Sequence, residues 1–346
     1  MRLLGTIASS YRAQAPQYVL NIGSQRELFG AAYARMFPWS SATGWGTAFG
    51  ETGVSAGSGR SGAIISNAIA VSTTTSPCIY AFAFSAAGLG SQFSQPGSLP
   101  TSEAYGVKWS ADGLNIAVGH NASPRISVYP WSASGFGTRY SNPATTPTTG
   151  YRTRFTDAGD FVAVGDGSSP RIMVYPFTNG TGMGTKVADP ATLPAGLGYD
   201  VDFTPSGNAI IVGHENSPFV SAYPWSGSGF GTKYSNPGTL PASAGNGVNF
   251  SSTGADVAIS DASGSPSITV YPWSAGFGTK YANPSPGVSG DGTSVCFSRN
   301  ADAIGVSSSN SPYHQAFPWT SGTGFGTRYS APGTTSYNEG KDIQFV

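Results

Sequence analysis

The sequence predicts an all-β chain, a seven-bladed β-propeller with four antiparallel strands per blade, in which the C-terminal strand completes the first blade. Three observations predict it. One phrase recurs seven times, turn residues divide each recurrence into four segments, and the two chain ends fit together as parts of one unit.

The phrase is an aromatic, Pro and an aromatic, followed by Gly-aromatic-Gly-Thr. It reads Tyr129-Pro130-Trp131 with Gly135-Phe136-Gly137-Thr138, and returns at Tyr175 (with Met183 in place of the aromatic between the glycines), Tyr223, Tyr271 and Phe317. Two copies are worn, at Phe37-Pro38-Trp39 and Phe82-Ala83-Phe84. The third-position aromatic falls at 39, 84, 131, 177, 225, 273 and 319. A period between 45 and 48 residues marks a repeat architecture whose units cannot bury their apolar faces alone.

The third unit shows the division. Tyr105–Trp109 alternates and predicts the inner strand, A; Ser110-Ala111-Asp112-Gly113 is a turn. Leu114–Val118 is strand B, and Gly119–Pro124 a loop ending in Ser-Pro. Arg125–Tyr129 is strand C, and Phe136–Ser141 the outer strand, D. Four short strands in about 46 residues make a propeller blade. At the ends, Asp342–Phe345 matches strand A, while Tyr18–Ile22 and Ala32–Phe37 match B and C. The last strand should thus close the first blade and remove a free sheet edge. Residues 1–17 are expected to be an N-terminal extension, and 18–346 one propeller closed by strand 342–345.

Period, strand order, the strand C aromatic and the closing strand together resemble the WD40-type propeller family over roughly residues 18–346. Two features depart from it: Trp131-Ser132 stands where that family has Trp-Asp, and its His ahead of strand A has no consistent counterpart. The Tyr-Pro-Trp…Gly-Phe-Gly-Thr form also resembles propeller proteins of tailed phages.

Composition narrows function. Charged residues are 10% of the chain, with Lys+Arg and Asp+Glu both 17, against about 25% charged in ordinary proteins. No cationic stripe is present to neutralise phosphates, so no nucleic-acid partner is expected. No stretch approaches the roughly 20 apolar residues of a membrane span, and the N-terminus lacks the apolar run of a signal peptide. Cys78 and Cys296 are expected to be free and buried.

Four residue sets are candidates for contact. The Ser-Pro loop face carries His120, Asn121, Asp166, His214, Glu215 and Asp261, which cluster as ligand or partner contacts or serve as solvated turns. The polar position of strand A reads Lys108, Arg154, Asp202, Asn249, Cys296 and Gln344, a lining for the central channel; the worn second blade offers Ser61 or Ile64 there. Arg139, Lys186, Lys233, Lys280 and Arg328 follow the Gly-aromatic-Gly-Thr phrase, either as a rim attachment or as charges that block edge pairing. The repeated Trp and Phe residues are sugar-stacking platforms or blade-to-blade core.

The three histidines form no zinc motif or nucleophile elbow, and Gly-Phe-Gly-Thr-Lys lacks the context of a phosphate loop. The expectation is a non-enzymatic protein without cofactor or metal. It would be a tailed-phage virion component made in the host cytoplasm, whose partners are other virion proteins or a host-surface glycan or receptor. A glycan-binding lectin is the alternative, and a cytosolic scaffold a third.

Overall fold

A computed structural model describes residues 17–24, 32–49, 51–54, 58–263, 266–333 and 339–345. The proposed extension, apart from Gln17, lies outside them. Seven antiparallel sheets follow one another around a central channel. The third blade is representative: strand A is Ala104–Trp109, B Asn115–His120, C Ile126–Ser132 and D Gly135–Phe136. The first blade takes its strand A from Glu339–Phe345, paired antiparallel with Gln17–Ser24, so that Val19 faces Phe345 and Leu20 faces Gln344. The closure expected from the chain ends is therefore present.

Strand D departs from expectation. It runs for two residues in five blades and is a single bridge, Trp273 to Phe277, in the sixth. Proline is the reason. Pro130 in strand C has no N–H to donate, so the ladder breaks there, although its carbonyl still accepts from Gly137 N at 2.8 Å. In the second blade Ala83 replaces that proline, and strand D extends over Gly88–Gln92. The first blade has an additional pairing, Glu51–Val54 against Ala32–Arg35.

Strand B is buried along its whole length in blades two to seven. The core lies between blades: one cluster joins Phe161, Ile172 and Val174 to Val201, Ile210 and Trp225 of the next blade. The repeated aromatics belong to it. Trp131 is 5% exposed and meets Trp109 and Phe136 edge-on, with centroids 5.4 and 4.9 Å away. Such rings are core, each contributing on the order of 2–3 kcal/mol by burial. The preceding tyrosine locks the loop that enters its blade: Tyr129 Oη donates to Ser98 O at 2.7 Å, and Tyr223 Oη to Thr192 O at 2.7 Å. Cys78 and Cys296 are free and buried.

Candidate functional site in the central channel

Strand A brings three layers of side chains to the channel. The register of A on B places Lys108 opposite Ala117, Arg154 opposite Ala163, Asp202 opposite Ile211, Asn249 opposite Ala258 and Gln344 opposite Leu20. Those five residues share one level with Cys296, opposite Gly305. In the worn second blade the equivalent residue is Ala63, opposite Ala70, and neither Ser61 nor Ile64.

This upper layer is stitched from blade to blade. Arg154 Nε pairs with Asp202 Oδ1 at 2.8 Å. Asp202 Oδ2 accepts from Asn249 Nδ2 at 2.9 Å and from Phe250 N at 2.8 Å. Asn249 Oδ1 accepts in turn from Phe297 N at 2.8 Å. Lys108 Nζ crosses to donate to Gln344 Oε1 at 2.7 Å. Burial and the neighbouring Arg154 bring the Lys108 ammonium down to about 8. Burial raises the Cys296 thiol, and burial with the Asp202 charge raises Asp157 on the adjoining A–B turn.

Above this layer opens a chamber of about 720 Å³, walled by the A–B turns and lined by Lys108, Arg154, Asp157, Asp202, Arg299 and Gln344. Its size suits a small-molecule ligand, for which cavities of about 300–1,000 Å³ are usual. Below it, two residues along each strand A, the channel is plugged. Arg152 reaches from the fourth blade to Asp342 Oδ1 at 3.2 Å and Ser294 Oγ at 3.0 Å, and donates to the carbonyls of Thr293 and Lys341 at 3.3 and 3.2 Å. Asp342 also accepts from Ser61 Oγ at 2.8 Å and Gly62 N at 2.9 Å. Arg152 and these donors hold its carboxyl below the ordinary range against the opposing effect of burial.

The third layer, at the opposite mouth, contains Arg60, Tyr105, Tyr151, Tyr199, Asn246, Thr293 and Lys341 around about 180 Å³. Each strand A carries a register shift at this level. A β-bulge re-aims the side chain of its extra residue, which is how these groups reach the mouth. Sequence reasoning missed this layer, although Tyr105, Tyr151 and Tyr199 recur with the repeat.

The remaining candidates do not join the chamber. Burial corrects the loop-face set: His120, Asp166, His214 and Asp261 end strand B and have 0% exposure. His120 Nε2 lies 3.0 Å from Ser127 Oγ, and His214 Nε2 3.0 Å from Ser221 Oγ. Asp166 Oδ1 accepts from Thr148 N at 2.8 Å and Thr149 N at 3.1 Å, bracing the loop into strand A. Asn121 and Glu215 are exposed on that face, opposite the large chamber. The rim cations have partners within the chain: Lys186 pairs with Asp189, Lys233 and Lys280 with Asn236 and Asn283, Arg139 Nη1 donates to Ser127 Oγ at 3.5 Å, and Arg328 Nη1 to Gln315 Oε1 at 2.8 Å. Among the described residues no group of three or more His, Cys, Asp or Glu is placed to hold a metal ion, and no helix is long and apolar enough to cross a membrane.

No protein-family model and no curated protein sequence matches this chain. Solved structures do. The periplasmic gluconolactonase of Pseudomonas aeruginosa superposes with a TM-score of 0.73 at 14% identity, covering 95% of this chain and 99% of that one. A proposed 6-phosphogluconolactonase of Bacteroides uniformis gives 0.68 at 16% identity over 96% and 100%. One from Bacteroides fragilis gives 0.67 at 14% over 97% and 99%. These neighbours correct the expectation of a non-enzymatic virion component, and its lectin and scaffold alternatives with it, because these three proteins, which match over nearly their whole length, are named as lactonases. The resemblance read from the repeat stands at the level of the seven-bladed propeller. At 14–16% identity the likeness establishes the fold, and the chemistry has to be argued from this chain's own side chains.

Proposed function

We propose that this protein is a hydrolase of small cyclic esters, opening a sugar-acid lactone in the wide chamber of its channel. One observation carries the reading: Lys108, brought close to neutrality, stands beside Arg154 in an open cavity of about 720 Å³. A lysine whose amine is free near neutral pH can act as a general base, since the best catalytic pKa lies near the working pH. Lys108 would take a proton from water as that water attacks the lactone carbonyl carbon. The guanidinium groups of Arg154 and Arg299, both in the chamber lining, would stabilise the oxyanion that develops. Collapse of the intermediate breaks the ring C–O bond, and the Lys108 ammonium returns its proton to the leaving alkoxide. One lactone and one water become one hydroxy acid. The lactonase names of the structural neighbours favour this substrate class over other esters.

The test is lactone consumption at constant pH, corrected for spontaneous hydrolysis, with gluconolactone and its 6-phosphate. The rate should rise with pH and level off near 8. Lys108→Met should lose at least about 100-fold in kcat, the usual contribution of a positioned base, while melting like the parent protein. No acceleration by the parent protein with either lactone, or full activity in Lys108→Met, would refute the reading.

A further inference from the structure

We infer that Gln344 is the positioning residue for Lys108: its amide is locked with the carbonyl toward the lysine by Asp342, so that the strand closing the ring also leaves the lysine lone pair free for the chamber. The inference rests on the function proposed above for Lys108, and its geometric part can be tested separately.

Four contacts carry it. Gln344 is 8% exposed. Its Nε2 donates to Asp342 Oδ1 at 3.1 Å, and its Oε1 accepts from Lys108 Nζ at 2.7 Å. Arg152 Nη1, 3.2 Å from that same carboxylate oxygen, keeps Asp342 ionised. An amide can usually be turned end for end, with N and O exchanged. Here it cannot. An ionised carboxylate only accepts, so the NH2 end must face Asp342 and the carbonyl must face Lys108.

A carbonyl also only accepts. A neutral amine has two N–H bonds and one lone pair, and Gln344 Oε1 must be met by an N–H. The lone pair is thereby kept off Gln344 and left free for the chamber that Lys108 lines, where substrate and water would sit. The other charged or titratable groups around the amine are Arg154 and Asp157 on the fourth blade, Asp202 on the fifth, the Cys296 thiol on the seventh and Asp342 on the first. Arg154 opposes the ammonium, and its partner Asp202 limits that opposition. Gln344 itself carries no charge at any working pH. It fixes direction without adding the negative charge that would keep the lysine protonated.

Lys108 is one of five lysines, with Lys186, Lys233, Lys280 and Lys341, so each can be followed separately. The experiment is trace acetylation of the intact protein with acetic anhydride across pH 6–11, read for each lysine by peptide mass spectrometry. No substrate is needed. In Gln344→Glu a carboxylate replaces the carbonyl. The titration midpoint of Lys108 should rise by about one pH unit or more, and its labelling at pH 8 should fall about fivefold or more. The profiles of Lys186, Lys233 and Lys280 should not move. Gln344→Met removes the acceptor at similar volume, and should lower kcat for lactone opening with KM unchanged and no rise in the Lys108 midpoint.

An unmoved Lys108 profile in Gln344→Glu overturns the inference. So does parental kcat in Gln344→Met, which keeps the question open to refutation if the Glu variant fails to fold. A parent protein that opens no lactone, but whose Lys108 responds to Gln344→Glu as stated, would remove the proposed function and leave the positioning contact established.

Discussion

Arg152 Nη1 and Asp342 Oδ1 lie 3.2 Å apart in the middle of the channel, although 190 residues separate them in sequence. The pair joins the fourth blade to the first and divides the channel into a wide chamber and a narrow mouth. Removing one partner of a buried ion pair leaves an uncompensated charge, at a cost of about 3–5 kcal/mol. Arg152→Met should therefore destabilise the fold by that order, measured by urea unfolding. A variant with the parent's unfolding midpoint would mean that the bridge contributes nothing.

Acid should weaken the fold through its histidines. Burial lowers His120 and His214 to about 4 and His314 to about 3, against 6.5 for the free side chain. Between these values the unfolded chain binds more protons, so stability falls as pH drops from about 6.5 toward 4. Each histidine contributes a loss of up to roughly 3 kcal/mol. Asp261 acts in the opposite sense: burial raises it to about 6, so the folded state binds its proton first and gains stability over the same window. Burial also raises Asp157 and Asp200, which act in the same sense as Asp261, and the three strongly lowered histidines outweigh these aspartates. The melting temperature should decline steadily from pH 7 to pH 4.5, and a flat profile would contradict this account.

Truncation before Glu339 should open the ring. It removes Ile343, which is fully buried with Val19, Trp39 and Ala316, and it removes both Asp342 and Gln344. Strand Gln17–Ser24 would then present an unpaired edge, a template for association. The expected result is a large fall in melting temperature together with aggregation on size exclusion. A truncated chain that stays monomeric and melts like the full one would show that closure is dispensable.

Gly119→Ala should be among the most damaging small substitutions. A Cβ at this strand position would fall 1.8 Å from the carbonyl oxygen of Tyr151 on the next blade. That neighbour is backbone and cannot rotate away, so the two blades must separate. A loss of several kcal/mol, or failure to fold, is expected by circular dichroism and thermal melting, in the range of severe core overpacking. Gly159→Ala, with no atom within 4 Å of its Cβ but a left-handed φ of 73°, should show only the smaller backbone penalty of about 1 kcal/mol.

Much of the architecture was legible because it is written locally and repeated. The aromatic-Pro-aromatic phrase, the Asp112-Gly113 turn and its equivalents, and alternation over Tyr105–Trp109 each act within a few residues. Repetition averages out the worn copies. The upper channel layer was legible for the same reason, since Lys108, Arg154, Asp202, Asn249 and Gln344 occupy one position of the repeat. The loop-face set failed because the sequence does not reveal which side of the Ser-Pro turn a polar residue falls on. His120 and His214 sit one residue inside, at the end of strand B, where the neighbouring blade covers them.

By itself, then, the sequence determined the number of blades, their strand order, the closing strand and, outside the worn second blade, the side chains of the upper channel layer, because each depends on period and local pattern. Only the tertiary structure decided that Arg152 plugs the channel, that the wide chamber opens on the A–B turn face, and that Gln344 meets Lys108. Those facts depend on which blades stand opposite one another across a closed ring. The contacts join residues 190 and 236 positions apart, and no periodic pattern along a chain encodes the reach of one side chain across the axis.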